Sequence, residues 1–474
     1  MRQLADLSGP RGLPFIGSLL ALKGQQLHHT MERWARQYGP FFCFKLMGYR
    51  ILAVADHESV NALLRDRPEG FRRAARGAYM VKELGFDVGV FFANGAPWLR
   101  QRRMVMAGLD PAHMREYFPS LVRVTQRLEG RWRKAAHDGA ALDLQADLMR
   151  FTVDVISGLA FGADVNTLES SDDVIQQHLD LIFPAVTRRM LSAIPYWRWF
   201  KLPSDRRLDR GVAEVNEAVR GFIADARSRL ASVPGLRDKP RNLLEAMVVA
   251  AEREESGITE SEIVGNVWAM LLAGEDTTSN TTSWLIYLLS RNPDMLARAQ
   301  TEVRSVLGDA WLQDEALDLG RLGQLDFLEA CIHETLRLRP VVPMLTYQAC
   351  HDTVLGDVQV PKGTVVWTLF RHDTLQERFF PNAGAFEPQR WMGEDGPAKA
   401  ASASKRVSMP FGAGPRVCPG RYLALLEIKM AMAMLLSRFN VLGVDVPGGG
   451  EVQERVAVTM YPVGLRLRLA ERVP

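Results

Sequence analysis

One of the chain's four cysteines, Cys418, stands in the run Phe411-Gly412-Ala413-Gly414-Pro415-Arg416-Val417-Cys418-Pro419-Gly420. This is a tight, glycine-rich loop that delivers a thiol to the start of a helix. Pro419 suits the first helical position, which makes Cys418 the predicted N-cap. There the positive end of the helix and its unpaired amides favour thiolate over thiol, and a thiolate is a metal ligand. Gly412 and Gly414 free the backbone for unusual dihedrals and for close approach to a flat macrocycle, while Arg416 offers a permanent charge to an anionic group. The competing reading, for a cysteine on its own, is an inert buried thiol.

A second constellation is Ala273-Gly274-Glu275-Asp276-Thr277-Thr278, an acid followed by hydroxyls inside an apolar stretch. Gly274 removes a side chain where a helix can lie against a flat cofactor. Thr277 can turn its hydroxyl to the carbonyl of Ala273 four residues back, which distorts a helix and opens a groove for water or dioxygen. Asp276 can then relay protons from solvent. The bland alternative is an acidic turn at the surface with threonines fitted into the packing. Glu334 and Arg337 share one helix face at i and i+3, ordinarily a surface ion pair, and Trp98 with Arg102 is ordinarily packing plus a surface charge.

The elements that must position these residues are mostly helices. From Thr259 to about Arg291 the pattern is one long helix, with Thr259 and Glu262 as its capping box and Asn292-Pro293 as its stop. Amphipathic stretches precede it at Leu121–Ala136, Leu142–Phe161 and Val212–Leu230. A helix follows around Phe327–Leu338, then strands at Val358–Val360 and Thr364–Thr368, a last helix from about Pro419 to Phe439, and strands at Val456–Met460 and Leu465–Leu469. Gly396–Ser404 reads as a loop and Pro447–Gly450 as a turn. The fold class is mainly α with a minor β subdomain.

Composition bounds the rest. The 474 residues are 47% hydrophobic and 24% charged, which suits a large buried core, and a net charge of +3 without a basic run argues against nucleic acid. The scattered cysteines fit neither a zinc site nor a disulfide framework, so a reducing compartment is expected. Pro10, Gly12, Pro14 and Gly17 break up the first residues, so no transmembrane anchor is expected and the location is read as cytoplasmic.

The cysteine loop resembles, at every marked position, the Phe-x-x-Gly-x-Arg-x-Cys-x-Gly signature of the cytochrome P-450 family. Ala273–Thr278 is similar to that family's Ala/Gly-Gly-x-Asp/Glu-Thr-Thr/Ser pattern, and Phe386-Glu387-Pro388-Gln389-Arg390-Trp391 to the segment whose arginine joins a Glu-x-x-Arg pair. Trp98-Leu99-Arg100-Gln101-Arg102 looks like the family's Trp-x-x-x-Arg helix, and the likeness extends from Gly9-Pro10 to the final strands. It implies one haem-thiolate domain over residues 1–474, of the soluble bacterial type, with a long helix crossing over the haem. Cys418 would be the axial ligand of haem b. Arg416, Trp98, Arg102, Phe411, Gly412, Gly420, Ala273 and Gly274 would line the cofactor, and Thr277 and Asp276 would deliver protons during dioxygen activation. Glu334, Arg337 and Arg390 would form a structural triad.

The resemblance also implies a monooxygenase acting on a hydrophobic small molecule, with Val90, Phe91, Ala273, Val342 and Met344 near the substrate. NAD(P)H electrons would come through an external reductase and a ferredoxin or flavodoxin, docked by Arg100, Arg102, Arg103, Lys405, Arg406 and Arg421, to a protein expected to be monomeric. Desaturation, coupling, peroxide-driven oxidation, and a haem sensor or carrier without turnover stand as alternatives. Two departures from the pattern stand out: Tyr347 sits where many members have an arginine, and Arg371-His372-Asp373 inverts His-Arg-Asp. Ile194–Phe200 is an aromatic patch that reads equally as lid, lipid contact or core.

Overall fold

The computed structural model describes residues 1–472 apart from Lys23, Asp110, 171–181, 183–184, 186–187, 190–191, 193, 309–310, 312–318, 394–403 and 405. The predicted loop Gly396–Ser404 lies outside the described residues except for Ser404. The amphipathic stretches fold as helices, two of them longer than their apolar periodicity: Pro111–His137 contains Leu121–Ala136, and Pro203–Ser232 contains Val212–Leu230. Proline at the start of the second costs nothing, because the first amides of a helix have no partner within it. Leu142–Phe161 instead divides. Leu142–Asp143 is a short strand, Asp143 caps the helix Leu144–Ile156, and a π-helical turn over Ser157–Phe161 ends at Gly162 with φ 68°.

Five helices matter for the site: α1 (Gly95–Gly108), α2 (Leu144–Ile156), α3 (Glu260–Ser290), α4 (Asp326–Leu338) and α5 (Arg421–Arg438). The predicted capping box of α3 is present, with the Glu262 amide donating to Thr259 Oγ1 at 3.2 Å and the Thr259 amide to Glu262 at 3.0 Å. The 31 residues of α3 span about 47 Å. Its second half is buried despite a run of polar residues, because the hydroxyls of Ser279, Thr281, Thr282 and Ser283 each donate to the carbonyl four residues back. α3 packs along α2 and touches α4 and α5 within the largest apolar cluster, so one core carries all the central helices.

The β component is small. Strands β1 (Phe41–Leu46), β2 (Tyr49–Val54), β3 (Phe71–Arg73), β4 (Met344–Ala349) and β5 (Val365–Leu369) form a sheet in the order β1-β2-β5-β4-β3, antiparallel except for β2 with β5. Near the C-terminus, β6 (Phe439–Asp445) pairs with the terminal strand Arg466–Glu471. The predicted strand Val456–Met460 is not continuous. It is a hairpin of β7 (Glu454–Val456) and β8 (Met460–Pro462), reversing at 457–459. Alternating apolar residues there look like one strand, but the Met460 amide bonds to the Val341 carbonyl at 2.7 Å and turns the chain back. Pro447–Gly450 is the expected turn, with Gly448 and Gly449 at φ 76° and 62°.

Candidate active site

The cysteine loop is closed by its own backbone: the Cys418 amide donates to the Phe411 carbonyl at 2.9 Å and the Val417 amide to that of Gly414 at 3.1 Å. Gly414, at φ 70°, lies so close to the helix His57–Arg65 that a Cβ there would come within 2.6 Å of the Leu64 carbonyl oxygen. Only glycine fits. The expected N-cap role of Cys418 is corrected, since α5 begins at Arg421 with Gly420 as its cap, and Pro419-Gly420 forms a turn before it. The Gly420 amide still reaches the sulfur. Cys418 is open to solvent-accessible space but walled by protein, so burial pushes its thiol up, opposed by the Gly420 amide and the charges of Arg102 and Arg421. A metal cation on the sulfur is the partner that would complete its ionisation.

Beside the loop the structure gathers arginines. Arg102, on α1, donates to the Val417 carbonyl at 2.8 Å, and Arg416 lies over the Trp98 indole at 4.5 Å and donates to the Ala93 carbonyl. Two further arginines were missed from the sequence. Arg73 on β3 is the register partner of Tyr347 on β4, and its guanidinium lies 5.2 Å from that ring and 4.1 Å from Phe91. Arg67, almost wholly buried, lies 4.9 Å from the same ring. None of Arg67, Arg73, Arg102 and Arg416 has a carboxylate partner among the described residues, and Arg67 Nη1, Arg73 Nε and Arg416 Nε are buried without a hydrogen bond.

Burial, then repulsion from Arg73 and Arg67, pulls Arg416 down to about 9, and burial pulls Arg67 down to about 10. Packed cations with no anion are costly, and they fit a dianionic cofactor such as haem with its two carboxylates. The signal in the sequence was the departure at Tyr347: the cation absent from one strand is supplied by its neighbour across the ladder. Arg371, the other departure, is not among these cations. It is buried between Glu32 at 2.8 Å and Glu454 at 2.8 Å.

On α3, Thr277 Oγ1 donates to the Ala273 carbonyl at 2.7 Å, as its position implies. Ala273 is exposed although much of the helix is buried, which leaves open space beside it. A Cβ at Gly274 would come 3.2 Å from Ile156 of α2, so its small size also suits the close crossing of those two helices. Asp276 is buried and engaged by Asn280 at 2.9 Å and by Thr459 of the C-terminal hairpin. A second acid escaped the sequence reading. Glu427 on α5 is buried against Thr278, and burial raises its carboxyl to about 8.

The residues expected to brace the loop do come together. Glu334 accepts from Arg337 at 2.8 Å, Arg390 at 3.0 Å, the Trp391 indole at 2.8 Å and the Glu387 amide at 2.9 Å, and Arg337 donates in turn to the carbonyls of Thr374, Ala383 and Ala385. The substrate candidates are more dispersed. Val90 and Val342 pack against the main core, Met344 against the cluster around β1 and β5, and Phe91 is exposed beneath Arg73. Phe411 is half-buried, with the Arg421 guanidinium 5.8 Å from its ring.

Of the docking arginines, Arg103 and Arg406 are exposed, Arg100 is tied to Glu262 at 2.7 Å, Arg102 and Arg421 are half-buried, and Lys405 lies outside the described residues. In the aromatic patch Trp197 is buried, whereas Ile194, Trp199 and Phe200 are exposed.

Comparison with known proteins agrees with this geometry. The family model for cytochrome P450 matches residues 7–459. The chain is 30% identical to the mitochondrial 25-hydroxyvitamin D-1 alpha hydroxylase of Homo sapiens over 489 residues, covering 97% of this chain and 91% of that one. It is 26% identical to the steroid 17-alpha-hydroxylase/17,20 lyase of Squalus acanthias, covering 97% and 90%. Among solved structures, the heme domain of a cytochrome P450DA mutant superposes with a TM-score of 0.81 at 25% identity, covering 100% of this chain and 99% of that one. A bacterial type is not supported by these relatives, and no helix among the described residues is long and apolar enough to cross a membrane. With the family matched across nearly its whole length and the family's fold reproduced, this chain belongs to the cytochrome P450 family of haem-dependent monooxygenases.

Proposed function

We propose that residues 1–474 form one haem-thiolate unit that binds haem b through Cys418 and oxidises a hydrophobic small molecule. Electrons from NAD(P)H would reach it through a separate reductase and a ferredoxin or flavodoxin. The carrying observation is the pairing of an accessible Cys418 with four guanidiniums that no described carboxylate neutralises. When bound, the haem supplies the redox chemistry that activates dioxygen and transfers one oxygen atom.

The chain's own residues do the rest. Arg67, Arg73, Arg102 and Arg416 hold the cofactor's carboxylates, and Trp98 stacks beneath Arg416. Thr277, its hydroxyl bonded to Ala273, stands beside the open space, and Asp276 supplies protons from its buried position. Apolar Val90, Phe91, Ala273, Val342 and Met344 favour an apolar substrate, as do the relatives named for hydroxylating steroids and 25-hydroxyvitamin D. A reducing, cytoplasmic setting and a monomer complete the reading.

Cys418→Ser, loaded with haem, should lose completely the reduced carbon-monoxide band of thiolate ligation, and its persistence would refute the ligand. A panel of steroids, secosteroids and fatty acids, titrated while the Soret band is followed, should give shifts with the substrate class. A panel that moves the band only with small polar molecules would overturn the hydrophobic reading.

A further inference from the structure

We propose that the C-terminal hairpin is a positioning device for the acid of α3, and that Thr459 is the residue through which it acts. This rests on the reading of Asp276 as a proton donor. Thr459 lies in the reversal between β7 and β8, is 3% exposed, and bonds to Oδ2 of Asp276. Asn280, one turn further along α3, donates from Nδ2 to Oδ1 of Asp276 at 2.9 Å and to Thr459 Oγ1 at 3.1 Å. Gln145 of α2 donates to the Asn280 carbonyl oxygen at 2.8 Å, which fixes which end of that amide faces the pair.

The donor count settles the direction of the remaining bond. With its oxygen taken by Gln145, the Asn280 amide offers only N–H groups to its neighbours, so Thr459 accepts there and its single hydroxyl proton goes to Asp276. Both carboxyl oxygens of Asp276 are thus engaged, which holds the group in one orientation. The Thr277 hydroxyl, bonded to Ala273, contributes nothing to this clamp.

The hairpin is itself anchored, and the anchor explains the displaced arginine. Glu454 at the start of β7 accepts from Arg371 at 2.8 Å, pairs with Arg339 at 3.1 Å and meets His28 at 3.2 Å, while Arg371 also holds Glu32. At the other end the Met460 amide bonds to Val341. A buried ionic cluster and one backbone bond therefore place the Thr459 hydroxyl against α3, and Arg371 serves the proton-supplying acid at a distance.

The test uses the full chain loaded with haem, reduced by a plant-type ferredoxin and its NADPH reductase with no added substrate, in light and heavy water. Thr459→Val should lower NADPH oxidation about fivefold and enlarge the solvent isotope effect, as expected for the loss of one ordinary intramolecular hydrogen bond. Thr459→Ser should restore both, and an unchanged reduced carbon-monoxide band would show an intact haem pocket. Because Thr459 acts through Asp276, Thr459→Val added to Asp276→Asn should change nothing further. Wild-type behaviour of Thr459→Val beside a slow Asp276→Asn overturns the inference and leaves the role of Asp276 standing, as does an additive double variant. A wild-type Asp276→Asn removes that role, and the inference with it.

Discussion

Glu427 and Glu454 are both buried acids, yet their surroundings drive them in opposite directions. Burial raises Glu427 from an ordinary value near 4.5 to about 8, with only Thr278 opposing it. Burial also works against Glu454, but His28, Arg371 and Arg339 overcome it and hold that carboxyl far below the ordinary range. For Glu427 the unfolded chain ionises near pH 4.5 while the folded one stays protonated to about 8. Unfolding therefore releases a proton between those values, and stability falls as pH rises through that window. Glu427→Gln should flatten this fall and raise stability by up to about 3 kcal/mol at pH 7, read by denaturant unfolding of the haem-loaded protein at pH 5 and pH 8. Equal pH slopes in wild type and variant would show that the carboxyl does not stay protonated. Cys331 is the instructive contrast to Cys418: wholly buried, with its thiol pushed far up by burial, it is the inert cysteine that composition alone leads one to expect.

Elements decide which of many arginines matter. Arg72 and Arg73 are neighbours, but the alternation of β3 sends Arg72 to solvent, bonded to Gln348 at 2.9 Å, and Arg73 to the Tyr347 side. A strand's period of two thus separates a surface charge from one turned toward the other arginines, and no local pattern in the sequence marks the difference. Arg67→Ala and Arg73→Ala should each speed transfer of haem to apomyoglobin by about tenfold through the loss of a charge-assisted hydrogen bond, with Arg72→Ala unchanged. Equal rates in all three variants would remove β3 from the cofactor site. By contrast the capping box of α3, the Thr277-to-Ala273 bond and the Glu334 cluster were legible beforehand, because each depends on i to i+3 or i+4 spacing or on a short motif. The break at 457–459 was not, since it is imposed by bonds to Val341 and Asp276, far away in sequence.

At the scale of the whole molecule, a net charge of +3 says nothing of where individual charges stand. Arg103 and Arg406 stand exposed, near in sequence to Arg102 and to the cysteine loop, and both should steer an acidic redox partner. Arg103→Glu with Arg406→Glu should slow reduction by a plant-type ferredoxin about tenfold at low salt and flatten its dependence on ionic strength. Salt-independent reduction of the wild type would dismiss steering. The same division runs through the molecule. Helical periodicity, the capping signals and the run from Phe411 to Gly420 determined from sequence the helical class, the long central helix and the loop that presents Cys418, since these depend on neighbours within a turn or a loop. Only the tertiary structure decided that four arginines meet with no acid among the described residues, that Gly274 lies close to Ile156 of a crossing helix, and that a C-terminal threonine grips the acid of α3. Those outcomes depend on strand register and on contacts between residues far apart in the chain, and such contacts leave no periodic trace.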